Sequence, residues 1–481
     1  MKEMSARELI VQSLVEMERD QSFLSDVEKA VLDKYAHLSE KDKAFYKKVM
    51  DGTIEQRIRI DYVLDLFSSK PVTGLKPLVR AVLRMSTYQL MWMDSVPDRA
   101  ACNEAASIMA RSRLSGLKGF VNGVLRNVAR NKDNISYPDE KADPVRYLSV
   151  MHSCPGWIVS RLVNDYGRET AEKILRSSLE RRPLSVRLRT GSPEADEKLL
   201  RAWKEKGIIV TRSPYLTDVW LLTGGGAVNS IPGFADGSFV VQDVGSAMVA
   251  KLGIHGDERL VLDLCAAPGG KSMHAADILC KPNDELRKPN DELCKPNVSY
   301  DPADPPHVIS ADVSPGRCEL IRENVRRLGL EDVMEVQERD ATEPNAEWVG
   351  AADAVIVDAP CSGLGVMGHK PDVKYRVTES DLASLTDLQR RILDVAVTYV
   401  RPGGRLIYST CTLFPEENGA QAAYCIDRHG FRDVTAERMA ACLTNADAGL
   451  KPSGLNDPGL QLIPGIVESD GFYVAVLQKG E

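Results

Sequence analysis

The sequence predicts a chain of three parts: an all-helical N-terminal domain, a small α+β subdomain, and an α/β domain built on a parallel sheet. Three observations predict this division. Apolar residues recur at helical spacing through residues 1–135. A strand–helix–strand–strand order follows within residues 145–235. Strands and helices then alternate through residues 236–481, which is the pattern of a parallel sheet.

Composition limits the class of protein. The 481 residues are enough for two or three domains, and a hydrophobic content of 43% is ordinary for a globular chain. The net charge of −8 gives no global sign of nucleic-acid binding, although a local basic face would be compatible with it. No apolar run reaches about 18 residues, so we expect no membrane span. The N-terminus lacks a signal-peptide core, and we therefore expect a cytoplasmic protein.

Cysteine usage points away from disulfides and metals. The ten cysteines are too sparse for a disulfide scaffold, and none forms a Cys-x-x-Cys pair. The seven histidines are scattered, so we expect no metal site. Reduced thiols are the default, and a notable cysteine is then either a packing residue or a nucleophile.

The N-terminal domain carries a local excess of positive charge. Helical spacing is clearest over residues 5–17, 61–67, 78–93, 100–109 and 119–128. Between Asp51 and Asp133, Lys and Arg outnumber Asp and Glu by 13 to 8. This excess fits either a solvated helical surface or a helical bundle that faces RNA. The residues that dominate it are Arg57, Arg59, Arg80, Arg84, Arg111, Arg113, Lys118, Arg126 and Arg130.

The middle of the chain predicts a small ferredoxin-like subdomain. Strands are expected at residues 184–188, 208–211 and 219–222, with a helix at residues 193–206. Four arginines in this region either line a path for RNA or are simply exposed. They are Arg181, Arg182, Arg187 and Arg189.

The α/β domain begins with a glycine turn. An apolar strand at residues 260–264 leads through a turn to a helix-compatible segment at residues 272–279. Strand, tight glycine turn and helix begin a nucleotide-binding unit. The dinucleotide fingerprint is absent, and Cys265 stands where a phosphate loop requires glycine. The turn therefore predicts an adenosyl ligand without phosphates. Its residues are Cys265, Ala266, Ala267, Pro268, Gly269 and Gly270.

Further strands of this domain are expected at residues 307–311, 333–337, 354–358, 404–409 and 471–477, and acidic residues fall where several of them end. Asp263 lies in the first strand, and Asp358 ends a later one. Asp312 fits the ribose hydroxyls of a nucleoside, or the cap of the helix at residues 317–328. Asp340 fits the edge of a purine, or is an acid in a surface loop.

Two cysteines follow strands of the same sheet. Cys361 lies in the run from Asp358 to Gly363, and Cys411 lies in the run from Tyr408 to Thr412. A single cysteine is most often a small buried hydrophobe. Both of these, however, occupy glycine- or hydroxyl-rich turns at the crevice end of strands, where a thiol is reachable.

A seven-residue unit, Lys-Pro-Asn-Asp-Glu-Leu preceded by Cys or Arg, repeats through residues 280–297. Prolines in every copy exclude a coiled coil. We expect a flexible inserted loop over residues 280–306, without chemistry for Cys280 or Cys294.

Together these motifs resemble the cytosine-5 RNA methyltransferases of the Sun/Fmu (RsmB) type, a branch of the Nop/Sun family. The most specific motifs are Asp263–Lys271, Asp358–Gly363 and Ser409–Thr412. The run Gly119–Asn127 resembles the NusB-type RNA-binding domain. The resemblance covers nearly the whole chain and implies a Rossmann-like class I methyltransferase domain. The repeat looks inserted, and Arg189 stands where the family often has Asn.

The resemblance implies S-adenosylmethionine as the cofactor. The backbone of residues 265–270 would hold its methionine end, Asp312 its ribose and Asp340 its adenine. Lys271 and Asp358 also belong to the predicted cofactor site. Cys411 would add to carbon 6 of cytosine, because carbon 5 is a poor nucleophile until a thiolate has added. Cys361 would then act on the carbon-5 proton or on release.

Two charged groups, Asp358 and Lys271, also have predicted roles. Asp358 would bond the ring nitrogen or amino edge of cytosine. Lys271 would lower the pKa of a thiol or orient the base, unless it is simply a solvated lysine at a helix start. By resemblance the substrate is 16S small-subunit ribosomal RNA, bound by a monomer without membrane or metal. The alternatives are the same chemistry on transfer RNA, or a non-catalytic RNA-binding factor for ribosome assembly or antitermination.

Overall fold

The computed structural model describes residues 4–280, 306–444, 450 and 458–481. The chain forms two compact units. The first comprises residues 1–179 and 367–376, and the second comprises residues 180–366 and 377–481. No helix among the described residues is long and apolar enough to cross a membrane. Residues 281–297 of the repeat, with Cys294, lie outside the described part of the chain, so the loop predicted there stays a prediction.

The first unit is all-helical, as the sequence predicts. A capping box of Ser5 and Glu8 begins its first helix. The last helix is interrupted at Gly167, where φ is 75°. The helices are α1 Ala6–Asp20, α2 Leu24–Lys34, α3 Glu40–Glu55, α4 Arg57–Phe67, α5 Pro77–Trp92, α6 Asp98–Arg111, α7 Lys118–Asn131, α8 Pro144–Met151 and α9 Gly156–Ser177.

Several of the predicted basic residues serve the interior of this unit. Helix α5 packs against α1, α3, α4, α6 and α7, and its Val82 and Leu83 are fully buried. Arg80 on the same helix pairs with Glu18 and donates to the carbonyl oxygens of Thr73 and Leu75 at 3.0 and 2.9 Å. These contacts replace water around the buried guanidinium, so Arg80 is a structural residue and contributes nothing to a solvated basic face.

The segment Met367–Arg376 belongs to the helical unit. Asp372 Oδ2 accepts the amide N–H of Leu24 at 3.0 Å, at the start of α2. Lys374 is buried and donates to the Glu55 carbonyl oxygen at 3.1 Å, and burial lowers its pKa to about 8. The Arg57 guanidinium lies 3.8 Å from the centre of the Tyr375 ring. This polar segment, unlike the helices, carries no hydrophobic periodicity that would predict its place.

The second unit begins with a small antiparallel sheet in the order β2-β3-β1-β4. The predicted strand–helix–strand–strand order is confirmed, and β1 has the predicted bounds. Trp203 is buried in its core, 5.4 Å from the ring of Phe239, and donates to the Pro232 carbonyl oxygen at 2.9 Å. The elements are β1 Leu184–Leu188, α10 Pro193–Glu205, β2 Ile209–Arg212, β3 Val219–Thr223 and β4 Phe239–Val241.

The large sheet of this unit has the order β10-β12-β9-β8-β5-β6-β7, and β11 pairs with β12. Strands β5 to β9 pair in parallel, whereas β12 is antiparallel to β9. The strands are β5 Leu260–Asp263, β6 His307–Asp312, β7 Met334–Glu338, β8 Ala352–Asp358, β9 Val400–Thr410, β10 Arg432–Asp433, β11 Leu460–Leu462 and β12 Phe472–Gln478. The helices are α11 Val244–Gly253, α12 Gly270–Cys280, α13 Pro315–Leu328, α14 Glu379–Tyr399, α15 Gly419–His429 and α16 Thr435–Cys442.

Both faces of this sheet are buried, which explains its continuous apolar strands. Successive residues of β5 point to opposite faces, so Val261 packs into one core cluster and Leu262 into another. From β5 the chain builds the sheet one way through β6 and β7, then returns to add β8 on the other side. Ligands bind at such a reversal, outside the carboxyl ends of the strands. Asp263, Asp312 and Asp358 end β5, β6 and β8.

A buried charge network connects the small sheet to α12. Arg187, 1% exposed, donates to Gln242 Oε1 at 2.9 Å and to Asp277 Oδ2 at 2.7 Å. Arg189 donates to both oxygens of Asp277, at 2.7 Å to Oδ1 and 2.8 Å to Oδ2. The interpretation of Arg187 and Arg189 as exposed residues or as the lining of an RNA path is therefore wrong, because a buried carboxylate holds both. Of the four arginines in this region, Arg181 is exposed.

Replacing Arg187 by Ala should lower the free energy of unfolding of the second unit by about 3 kcal/mol, because Asp277 keeps a buried charge with one partner fewer. Burial alone would raise the pKa of Asp277, but Arg187 and Arg189 lower it below its usual value. The contribution of the Arg187–Asp277 interaction to the free energy of unfolding should thus be complete above the ordinary Asp pKa of about 3.9 and be lost as the pH falls further. Urea unfolding at several pH values measures it.

The control is Arg326→Ala in the same unit. Arg326 pairs with Glu319, and the two side chains are 56% and 51% exposed. An exposed pair contributes less than about 1 kcal/mol. Equal losses in the two variants would contradict a special role for the buried network.

Candidate active site

The glycine turn between β5 and α12 is held by local hydrogen bonds. Gly269 has a φ of 97°, a conformation that side chains with a Cβ rarely adopt, and its N–H donates to the Ala266 carbonyl oxygen at 2.6 Å. Ser272, in the first turn of α12, donates its hydroxyl to Asp263 Oδ2 at 2.5 Å. The peptide bond before Pro268 is cis. The strand end and the helix start are therefore tied together around the predicted cofactor turn.

Four carboxylates surround this turn. The pKa of Cys265 is raised by burial first, and then by the negative charges of four aspartates. Cys265 is thus a thiol that stays protonated, which fits a packing role. Burial raises the pKa of Asp263 to about 7, and its Oδ1 has no hydrogen-bond partner among the described residues. The aspartates are Asp263, Asp358, Asp312 and Asp340.

This donor set can be compared with the predicted cofactor. Carboxylates repel phosphates and attract positive charge, and they accept hydrogen bonds from hydroxyl groups. S-adenosylmethionine carries a sulfonium, an ammonium group and two ribose hydroxyls, and it has no phosphate. The residues around the turn therefore fit this cofactor in charge and in hydrogen-bonding character.

Asp312 and Asp340 occupy different surroundings. Asp312 is buried, and its two oxygens accept the N–H of Ala267 at 3.3 Å and of Ser314 at 3.0 Å. Helix α13 begins at Pro315 with Ser314 as its N-cap, so Asp312 is not the N-cap residue. Asp340 closes a turn by accepting the N–H and hydroxyl of Thr342 at 2.8 and 2.7 Å. These contacts lower the pKa of Asp340.

Lys271 and Asp358 form an ion pair. Lys271 Nζ donates to Asp358 Oδ2 at 2.6 Å, and the Lys271 side chain is 12% exposed. Burial would lower the pKa of Lys271, but Asp358 raises it overall. The second oxygen of Asp358 accepts the hydroxyl of Ser409 at 2.8 Å. Lys271 is therefore a charged group inside the site and not a solvated lysine at a helix start.

The two predicted thiols meet. Cys361 Sγ and Cys411 Sγ are 3.5 Å apart, and both residues are half-buried. The hydrogen bond with Cys411, then burial, raise the pKa of Cys361 well above its usual value. The charge of Cys411 also raises the pKa of Lys271, which places this thiol within electrostatic reach of the ammonium. A cation nearby favours the thiolate form of a cysteine.

Four further polar residues lie around Asp358 and the two turns that carry the thiols, and the sequence motifs assign them no role. Ser409, Ser362 and Thr412 stood within the quoted motifs, next to Asp358, Cys361 and Cys411 in space. Glu417 accepts two hydrogen bonds from Ser362, a residue distant in sequence. The hydroxyl residues next to each cysteine in the sequence could have indicated Ser362 and Thr412. No local sequence pattern, in contrast, marks Glu417 as a buried carboxylate.

Comparisons with known proteins identify the family and the three parts of the chain. Family models match the 16S rRNA methyltransferase RsmB/F over residues 303–478, the NusB family over residues 4–130, and the ferredoxin-like domain of RsmF/B-like methyltransferases over residues 154–229. The probable ribosomal RNA small subunit methyltransferase B of Bacillus subtilis (strain 168) is 32% identical over 486 residues, covering 100% of both chains. The chain belongs to the RsmB/F methyltransferase family. The ribosomal RNA small subunit methyltransferase B of Salmonella paratyphi B is 29% identical over 481 residues, covering 99% of each chain.

Solved structures share the fold of this RsmB/F family member. The crystal structure of PH0851 aligns with a TM-score of 0.74 at 21% identity and covers 99% of both chains. NSun6 from Pyrococcus horikoshii, crystallised with SFG, aligns with a TM-score of 0.51 at 21% identity. The alignment covers 69% of this chain and all of NSun6. At such identities the likeness shows the fold alone. The predicted order of the three parts along the chain, helical, then small α+β, then Rossmann-like, is confirmed.

Replacing Asp263 by Asn should change how stability depends on pH. The folded protein holds the Asp263 proton to about pH 7, whereas the unfolded chain releases it near pH 4. Wild-type stability should therefore fall by roughly 1 kcal/mol per pH unit across that window through this group. Asp263→Asn should lack the fall, which thermal unfolding at pH 5 and pH 7.5 will show. The exposed Asp332→Asn serves as the control, and parallel curves for both variants would contradict the assignment.

Proposed function

We propose that the protein transfers a methyl group from S-adenosylmethionine to carbon 5 of a cytosine in 16S ribosomal RNA, through a covalent adduct on Cys411. The observation that carries the proposal is the contact of two thiols, 3.5 Å apart, beside the Lys271–Asp358 ion pair at the carboxyl ends of parallel strands. The Bacillus relative supports small-subunit ribosomal RNA as the substrate class.

The residues fit the steps of this reaction. The Cys411 thiolate forms a bond to carbon 6, which makes carbon 5 electron-rich enough to take the methyl group. The bound cofactor supplies a methyl sulfonium. A base then takes the proton of carbon 5, the electron pair of that bond restores the double bond between carbons 5 and 6, and the bond from carbon 6 to the sulfur of Cys411 breaks with its electron pair on sulfur. Asp358 bonds the nitrogen edge of the ring, where charge changes as the thiolate adds. Lys271 orients Asp358 and favours the thiolate of Cys411.

Cys361 and Cys411 have different electrostatic surroundings, which supports different roles for the two thiols. The pKa of Cys361 is raised by its hydrogen bond with Cys411 and by burial, so the thiol form of Cys361 is favoured. Cys361 is then next to the adduct and acts when it resolves. As a thiol it donates its proton to the sulfur of Cys411 as that group is released, and the Cys361 thiolate left behind takes the carbon-5 proton. Intact Asp358, Cys361 and Cys411 argue against a purely RNA-binding role.

The helical unit offers a surface for RNA. Between Glu104 and Asp133 the sequence has no acidic residue, although the whole chain carries a net charge of −8. Arg113, Lys118 and Arg126 are exposed there, and none of their three side chains has an ion-pair or hydrogen-bond partner among the described residues. Phosphates attract such side chains. We infer that this surface around the start of α7 aids docking of RNA, and the target cytosine must be unstacked to reach the thiols.

Methyl transfer tests the proposal directly. Labelled S-adenosylmethionine and deproteinised 16S RNA should give one labelled 5-methylcytosine, and a transfer RNA mixture should give none. Cys411→Ala should lower the rate at least 1,000-fold, on the order expected for a lost nucleophile. Cys361→Ala should trap a protein–RNA complex that survives denaturing electrophoresis. Cys102→Ala is the control and should keep activity, because that thiol lies on α6 in the helical unit. Label on another atom or on transfer RNA would contradict the proposal.

The RNA surface has its own test. Replacing Arg113, Lys118 and Arg126 together by Gln should weaken RNA binding and reduce the slope of log affinity against log salt by about 3. Fluorescence anisotropy across salt concentrations measures both. The rate at saturating RNA should be unchanged. Three exposed lysines of α2 and α3, Lys29, Lys41 and Lys48, changed to Gln give a control of equal charge. Equal effects of both triple variants would show that only net charge matters.

A further inference from the structure

A buried carboxylate lies beneath the two thiol-bearing turns. Glu417 is 0% exposed. Its Oε1 accepts the N–H of Ser362 at 2.8 Å, and its Oε2 accepts the hydroxyl of Ser362 at 2.6 Å. Gln389 on α14 donates a third hydrogen bond to Oε1 at 3.2 Å and a further one to the Pro360 carbonyl oxygen at 3.0 Å. Both oxygens of Glu417 therefore hold the turn that carries Cys361.

The same network reaches the turn that carries Cys411. The hydroxyl oxygens of Ser362 and Thr412 are 2.7 Å apart. Because the Ser362 hydroxyl donates to Glu417, Thr412 donates to Ser362. The backbone on either side is anchored as well. The Tyr408 hydroxyl donates to the Glu417 carbonyl oxygen at 2.6 Å, and Asn418 Nδ2 donates to the Thr412 carbonyl oxygen at 3.1 Å.

We propose that Glu417 is a positioning residue for the thiol pair, whose carboxylate links the Cys361 turn to the Cys411 turn through Ser362 and Thr412 and so sets the contact between the two sulfur atoms. The inference rests on the proposed function for its catalytic meaning. The geometry that it explains, two turns from different strands joined by one carboxylate, does not depend on the identity of the substrate.

The choice of a charged residue at this buried position supports the proposal. Burying a carboxylate is unfavourable unless several donors satisfy it, and an apolar side chain would pack without that cost. Ser362 and Gln389 supply the donors. Burial nevertheless raises the pKa of Glu417 above its usual value, since these hydrogen bonds only partly oppose it. The carboxylate of Glu417 is therefore buried at this position although its desolvation is unfavourable.

The charge of Glu417 also acts on the thiols. The pKa of Cys361 is raised by Cys411 and by burial, and further by the negative charges of Glu417 and Asp358. Lys271, paired with Asp358, is the cation that faces Cys411. Tyr408 is the other titratable neighbour of Cys361, and burial keeps its pKa high. Glu417 thus helps to keep the proton on Cys361 while Cys411 reacts.

Two variants separate geometry from charge. Glu417→Gln keeps the shape of the side chain and removes its charge, whereas Ser362→Ala removes the bridging hydroxyl and keeps the charge. We expect each to lower kcat for RNA methylation on the order of 10- to 100-fold, because the thiols lose their alignment. The KM for RNA should stay within about twofold, since neither side chain is placed at the RNA surface. Glu416→Gln, the neighbouring partly exposed carboxylate, is the matched control.

A thiol titration provides a readout that a merely structural role would not move. The pH midpoint for alkylation of Cys361, followed by mass spectrometry without RNA or cofactor, should fall in Glu417→Gln because a charge that raises its pKa is gone. It should stay near the wild-type value in Ser362→Ala and in Glu416→Gln. Melting temperatures measured alongside show whether each variant is folded.

The outcomes divide clearly. A fall in kcat at unchanged KM, together with a lower Cys361 midpoint in Glu417→Gln alone, supports the proposal. Wild-type kcat and an unchanged midpoint in Glu417→Gln overturn it. Should Glu417→Gln fail to fold, Ser362→Ala decides, and unchanged kcat in that variant also overturns the proposal. If the wild-type protein methylates no cytosine, the proposed function fails, while the titration still tests the link between Glu417 and Cys361.

Discussion

The bond between the Lys271 ammonium and the Asp358 carboxylate joins the two halves of the active site. Lys271 lies in the first turn of α12, directly after the cofactor turn, and Asp358 ends β8, directly before the turn with Cys361. The two groups meet at 2.6 Å because β5 and β8 are adjacent and parallel, so their carboxyl ends lie at the same edge of the sheet. Removing either partner would leave a poorly compensated charge inside the protein. The ion pair therefore links the predicted cofactor turn to the turn that carries Cys361.

Electrostatic surroundings distinguish three cysteines that lie at this same edge. Cys265 is half-buried beside four carboxylates, and burial first and then their charges raise its pKa and keep the thiol protonated. Cys411 lies within electrostatic reach of Lys271, a cation whose own pKa is raised by Asp358. Cys361 shares a hydrogen bond with Cys411 and feels the charge of Glu417. The three sulfur atoms thus differ in the charges around them, although all three lie at the same edge of the sheet.

Much of the sheet could be predicted from the sequence, because buried parallel strands are continuous apolar runs bounded by turns. Strand β1 has the predicted bounds, and β5 to β9 differ from the prediction mostly at their ends. Helices α2 and α3 were not predicted, since α3 begins with the charged run Glu40–Lys43. Strands β10 and β11 are too short to show alternation. The site residues that follow strands could be predicted, whereas Glu417 and Arg187 act through partners distant in sequence, which one sequence does not reveal.

The place of Arg187 changes the meaning of the small α+β part. Strand β1 supplies Arg187, which binds Asp277 on α12 and Gln242, and Gln242 Nε2 donates to the Gly270 carbonyl oxygen at 3.1 Å. Gly270 is the last residue of the cofactor turn and the first of α12. The small sheet is therefore part of the structure that supports the cofactor turn, which explains why both belong to one compact unit. Asp277 holds both Arg187 and Arg189, so neither guanidinium is available to a ligand at the surface, and Arg181 is the exposed one of the four arginines in this region.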